Sequence, residues 1–188
     1  VVLTITGWVF GKLSYFWDKC PLSMRSPDTS VQKQLDREVT TLIRLSQGGS
    51  RLLSNRSITF SEFLSNKMLL IFIIRQGIPY SFFSLIQRIT PFDDNDWADY
   101  LSISTKSLQR YKESDKHFKP IQTEKIIEMA EVTSLGLDVF GSMEKFKLWL
   151  DTPNYALGNL TPVDLLRDSY GKELVLSELT RINYGILA

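Results

Sequence analysis

The sequence predicts an all-α fold, on three observations. Apolar residues recur at three- and four-residue spacing in nearly every segment, the period of a helix with one buried face. Turns of three to six residues, rich in Gly, Pro, Asn, Asp and Ser, separate most of these segments. A competing strand reading exists only for residues 69–74, where Ile71, Ile73 and Ile74 favour β structure. The chain has 188 residues, 43% of them hydrophobic and 23% charged. That balance supports a packed core and excludes global disorder.

Taken in order, residues 1–23 form an apolar stretch, "VVLTITGWVFG" onward, without the basic lead-in or small-residue cleavage site of a signal peptide. Composition changes at Met24, which is expected to be the native start, so that residues 1–23 are not native. Residues 29–46 then carry Val31, Leu35, Val39, Leu42 and Ile43 at helical spacing, and "SQGGS" (46–50) breaks the run. Thr59 or Ser61 is expected to cap one helix through Phe63, Leu64, Met68 and "MLLIFII", stopped by Gly77. Pro79 opens a helix through Phe82, Phe83, Leu85, Ile86 and Ile89 that Pro91 ends. Short helices follow near 94–101, 105–112, 121–135, 142–150, 162–169 and 171–184. The expected organisation is an N-terminal extension over 1–57, one helical unit over 58–141 and a second over 142–188, divided near Gly141.

Several function classes drop out on composition. Cys20 is the single cysteine and His117 the single histidine. No internal disulfide and no cysteine-rich zinc site can form, and a reducing, cytoplasmic setting fits. The acids Asp93, Asp94, Asp96 and Asp99 lack the spacing of a calcium loop, because Trp97 intrudes. "GLDVFGS" (136–142) lacks the lysine of a phosphate-binding loop. There is no convincing nucleophile–base pair. The expectation is a non-enzyme with no cofactor, no metal and no membrane contact, since "MLLIFII" is far short of the roughly 20 residues a span needs.

The net charge is +1, but its distribution is uneven. Residues 105–125 hold six bases against three acids. They follow "DWADYLSISTKSLQRY" (96–111), which has the pattern of a helix-turn-helix. Trp97, Ala98 and Leu101 form the inner side of the first helix, and Ala98 is small enough for a close crossing. Ser102-Ile103-Ser104 is the turn, with Ser102 where glycine is usual. Ser104 caps a second helix that buries Leu108 and Tyr111. Thr105, Lys106, Ser107, Gln109, Arg110 and Lys112 then face outward as candidates for DNA contact, with Lys116 and Lys119 beside them. Gln and Arg can read base edges through paired hydrogen bonds, and lysines neutralise phosphates. A plain αα-hairpin with a solvated basic face is the alternative.

The C-terminal unit begins with Ser142 capping a helix that carries Phe146, Trp149 and Leu150 on one face. Thr161, Pro162 and Asp164 compose a helix start, Gly171 is expected to break that helix, and Val175, Leu179 and Ile182 stripe the last one, which Gly185 ends. Trp149, Leu165, Leu179 and Ile182 are expected in the core. A unit of this size cannot easily bury all its apolar surface. The loop residues Asn154, Tyr155, Leu157, Gly158 and Asn159, and the tail Arg181, Tyr184, Gly185, Ile186, Leu187 and Ala188, are therefore expected to contact a partner.

"FKLWLDTPNYALGNLTPVDLLRDSYGKELVLSELTRINYGILA" resembles, along its whole length, the toxin-binding domain of Xre/MbcA/ParS antitoxins. The resemblance rests on Trp149, Leu150, Pro153, Asn154, Ala156, Leu157, Gly158, Pro162, Leu165, Leu166, Gly171, Val175, Leu179, Ile182 and Gly185. Asn159 stands where the family has a second glycine. The region from residue 58 resembles the Xre-like half of the same proteins. The resemblance implies a type II toxin–antitoxin module. Its partner would be an NAD-consuming RES-domain toxin whose active site this chain covers. It would also bind its own promoter DNA, as a homodimer or in a larger hetero-oligomer with the toxin. A stand-alone helix-turn-helix regulator with a C-terminal dimerisation domain is the alternative.

Overall fold

The computed structural model describes residues 29–45 and 56–186. The proposed start at Met24, the "SQGGS" breaker and the tail residues Leu187 and Ala188 lie outside them. Among the described residues the fold is all-α, with no strand, only two isolated β-bridges. The helices are α1 (Thr29–Leu45), α2 (Phe60–Ser65), α3 (Lys67–Gln76), α4 (Tyr80–Arg88), α5 (Asp94–Tyr100), α6 (Thr105–Ser114), α7 (Pro120–Phe140), α8 (Met143–Leu150), α9 (Pro162–Leu165) and α10 (Ser169–Asn183), with a 3₁₀ turn at Tyr155–Leu157.

The expected helix across residues 59–77 is two helices. Asn66 (φ −101°, ψ 93°) leaves the helical region and its side-chain oxygen accepts from the Met68 and Leu69 amides, so it caps α3 while closing α2. Asparagine competes for backbone partners in this way and favours caps over helix interiors. Thr59 and Glu62 form a capping box at the start of α2. The strand alternative for 69–74 gives way to α3, whose Leu69, Leu70 and Ile73 are buried.

α1 buries Val31, Leu35, Val39, Leu42 and Ile43 against α2, α3 and α4. Its Asp36 carboxylate accepts from the Phe60 amide at 2.7 Å, and the Thr40 hydroxyl donates to the Ile58 carbonyl at 3.2 Å. α1, which precedes residue 58, thus shares the core of the helices that follow.

The spine is α7, 21 residues and about 31 Å long. It runs past Gly136 to Gly141, further than its expected end near 135. Gly136 is needed for space: a Cβ there would lie 2.2 Å from the Phe146 ring. α7 packs against α2, α3 and α4 and also against α8 and α10. Polar links reinforce the second contact. Lys172 on α10 pairs with Glu128 at 3.1 Å, which also meets Lys125 at 3.4 Å, all three side chains being mostly buried. One apolar core runs from α1 to α10.

At the C-terminal end two expectations are corrected. α9 stops at Leu165, and Gly171 does not break it. Asp168 accepts from the Gly171 amide at 2.7 Å and starts α10 at Ser169, placing the glycine in that helix's first turn. Ile182 and Leu165 are half-buried, as is Trp149, while Leu166, Val175 and Leu179 are fully enclosed.

Candidate functional site

Two surfaces stand out. The first is built by α5 and α6. Asp93 caps α5 by accepting from the Asn95 and Asp96 amides, and Asp96 returns a bond from the Asp93 amide. Two of the four clustered acids are thereby explained as a helix start. Trp97 is fully buried edge-on to Phe83, with ring centroids 4.9 Å apart, and Ala98 is buried at the crossing. Ser102 takes the left-handed conformation (φ 52°), the Ile103 amide bonds the Ala98 carbonyl at 2.9 Å and the Ser102 amide bonds Asp99 at 3.0 Å. These are the two bonds of a Schellman termination. Ser104 then accepts from the Ser107 amide and opens α6. Buried Leu108 and half-buried Tyr111 anchor α6, and Tyr111 stacks on Phe118 at 4.5 Å and 6°.

Of the residues singled out for DNA contact, Thr105, Lys106, Gln109, Arg110, Lys112, Lys116 and Lys119 are exposed. Ser107 is half-buried and its hydroxyl lies 2.9 Å from that of Ser104, so it supports the cap instead of facing outward. Gln109 is steered along α6 by a 3.4 Å bond to Glu113, and the Lys116 ammonium sits 5.6 Å above the Tyr111 ring. The same unit shares with α8 and α9 a groove lined by Asp93, Asp96, Asp99, Asp151 and Asp164 together with Lys147 and Arg167. Tyr100 borders that groove. Burial pushes its phenol well above the ordinary tyrosine value, and the Asp96 carboxylate adds to this.

The second surface is built by the 154–160 loop and α10. The Asn154 amide bonds the Leu160 carbonyl at 3.0 Å, the Asn159 amide returns to Asn154 at 2.9 Å, and the Asn154 side chain accepts from Ala156. Gly158 (φ 71°) and Asn159 (φ 61°) both occupy the left-handed region, which glycine and asparagine tolerate best. Leu157 is buried, so it anchors the loop and is not available to a partner in this conformation. Tyr155 stands out at 85% exposure, with Gly158 and Asn159 exposed and Asn154 half-buried. Arg181 is half-buried beside Glu178, and Tyr184, Gly185 and Ile186 are exposed.

Sequence reasoning named Arg181 and Tyr184 but missed the rest of the outer stripe of α10. Tyr170, Leu174, Ser177, Arg181 and Tyr184 follow one another at intervals of four, three, four and three residues, opposite the buried Val175 and Leu179. Tyr170 is 84% exposed, Leu174 54% and Tyr184 75%. The spacing was legible, but the Val175–Leu179–Ile182 stripe drew the reading towards the core. Among the described residues no group of His, Cys, Asp and Glu could hold a metal ion.

Residues 135–185, which contain this second surface, match the model of the antitoxin Xre/MbcA/ParS C-terminal toxin-binding domain. The match covers the C-terminal part of the chain, from the end of α7 through α10. The chain is similar to an antitoxin Xre of Photorhabdus laumondii, 26% identical over 117 residues that cover 62% of this chain and 79% of that one. It is also similar to an antitoxin Xre of Yersinia enterocolitica, 30% identical over 87 residues, 46% of this chain and 59% of the relative. A solved neighbour is a chain of the M. tuberculosis MbcT–MbcA toxin–antitoxin complex, at 22% identity and a TM-score of 0.46, covering 55% of this chain and 90% of that one.

Proposed function

We propose that the chain is an Xre/MbcA-type antitoxin that neutralises a cognate RES-domain, NAD-consuming toxin by covering its active site with residues 142–188, and binds its own promoter DNA through the helix-turn-helix of residues 58–141. The observation that carries the first part is the coincidence of the matched toxin-binding domain with an aromatic, uncovered surface. Tyrosine and arginine anchors of this kind concentrate binding energy in protein interfaces. The second part is supported by the Schellman-terminated turn, the anchored α6 and the basic side chains around it.

Co-expression with a RES-domain toxin tests the first part, and a mobility shift on the DNA upstream of this chain's own gene tests the second. Gln109→Ala with Arg110→Ala should abolish the shift and leave rescue intact. Loss of both together would tie the two activities to one surface and defeat the division proposed here. Because α10 also carries the enclosed Val175 and Leu179, point changes on its exposed stripe separate binding from folding where removal of the helix would not.

A further inference from the structure

The two ends of α6 are held differently. The N-terminal end is fixed locally, by the Ser102–Ser104 turn. The C-terminal end is fixed at a distance, through Asp115. This residue caps α6 in the left-handed conformation (φ 43°) and points its carboxylate at the start of α4. One oxygen accepts from the Ser81 amide at 2.7 Å and the other from the Ser81 hydroxyl at 3.3 Å, across 34 residues of sequence. The N-cap position of α4 is Pro79, which has no side-chain acceptor for the free amides of a first turn. Asp115 supplies that acceptor from another part of the chain. Two residues on, a bridge joins Pro79 and His117, with the Phe118 amide bonding the Ile78 carbonyl at 2.8 Å.

We infer that Asp115 is a positioning residue for DNA recognition: by capping α4 it sets the angle at which α6 is presented. The inference rests on the DNA-binding reading above. It makes a prediction of unexpected sign. Asp115 is an exposed acid beside Lys112, Lys116 and Lys119, so removing its charge should tighten DNA binding if only electrostatics mattered. If its carboxylate holds α6 in place, removal should weaken binding to the correct sequence.

Two substitutions separate these effects. Asp115→Gly and Asp115→Asn lose the same charge, and both tolerate the left-handed cap. Only asparagine keeps an oxygen that can accept from Ser81. With the DNA upstream of the chain's own gene as probe, Asp115→Gly should lose about tenfold in affinity, the scale of one charge-assisted hydrogen bond. Asp115→Asn should bind as well as wild type or more tightly. Binding to an unrelated duplex should not fall in either variant, and both should still rescue cells from the toxin. Amide exchange at Ser81 in the DNA-free protein should be slow in wild type and Asp115→Asn and fast in Asp115→Gly.

If the glycine variant binds the upstream DNA as tightly as wild type, the positioning role is wrong while the DNA reading stands. If wild type does not distinguish the upstream DNA from the unrelated duplex, the DNA reading fails and this role with it.

Discussion

The carbonyl of Leu165, at the end of α9, lies against the α-carbon of Gly171 in the first turn of α10. A Cβ on Gly171 would sit 1.9 Å from the Leu165 oxygen and 2.7 Å from its carbon. Both obstacles are backbone, so no rotamer change relieves them. Gly171→Ala should therefore separate α9 from α10 and cost roughly 2 kcal/mol or more, a drop of several degrees in melting temperature. An alanine variant that melts with wild type would mean that this helix junction is not packed as described.

A second close approach behaves differently because its obstacle is a side chain. Alanine at Gly136 would meet the enclosed Phe146 ring at 2.2–2.5 Å. Overpacking of this kind costs about 1–3 kcal/mol. Trimming the ring should relieve it, so Gly136→Ala with Phe146→Leu should be more stable than the sum of the two single changes predicts. Denaturant titration of the four proteins gives the coupling directly, and strict additivity would refute the contact.

Gly136 and Gly171 also mark where the sequence could and could not be read. In the sequence Gly136 reads only as part of the phosphate-loop-like spacing of "GLDVFGS", which lacks the lysine, and Gly171 reads as a helix breaker. Whether a glycine ends a helix or lets another element approach depends on a neighbour that local pattern does not reveal: Phe146 in one case, the Leu165 carbonyl in the other. The reverse holds for the turn at Ser102 to Ser104 and the cap at Ser142. There the partners lie within five residues, and the caps and the left-handed serine were legible. The capping of α4 by Asp115 and the exposed side of α10 needed the assembled fold, because the residues that meet are 34 apart or because two stripes compete for one helix.

Tyr100 supplies a pH signature. Its folded-state ionisation is pushed up, first by burial and then by Asp96, so the neutral phenol is the form the fold stabilises. That contribution is whole below the unfolded value near 10 and is lost as pH rises from there towards the folded value. Stability should fall at roughly 1 kcal/mol per pH unit above about 10 from this group. Tyr100→Phe keeps the ring against Phe92 and Trp97 and removes the titration. Its stability should decline less steeply than that of wild type between pH 9 and 11; parallel curves would show that Tyr100 ionises as freely in the fold as in the unfolded chain.

The outer stripe of α10 carries the most direct test of toxin docking. Tyr170, Leu174 and Tyr184 are exposed in the free chain, so replacing each with alanine should change its stability by no more than about 0.5 kcal/mol. If the stripe is the centre of the interface, at least one of the three should weaken toxin binding by about 2 kcal/mol, close to thirtyfold. A change at the rim would cost much less. Leu174 lies on the stripe between the two exposed tyrosines and should be the most sensitive, with Leu174→Asp abolishing rescue in co-expression by placing a charge in a desolvated contact. The loop provides the comparison. Tyr155→Ala tests the other exposed aromatic of the module, and Leu157→Ala tests its anchor. Leu157→Ala should lower both stability and binding, because it frees the loop as well as emptying a core position. Calorimetric titration with toxin, alongside melting curves of each variant, separates these outcomes. If all three stripe variants bind as wild type while Tyr155→Ala does not, docking is confined to the loop and α10 only supports it.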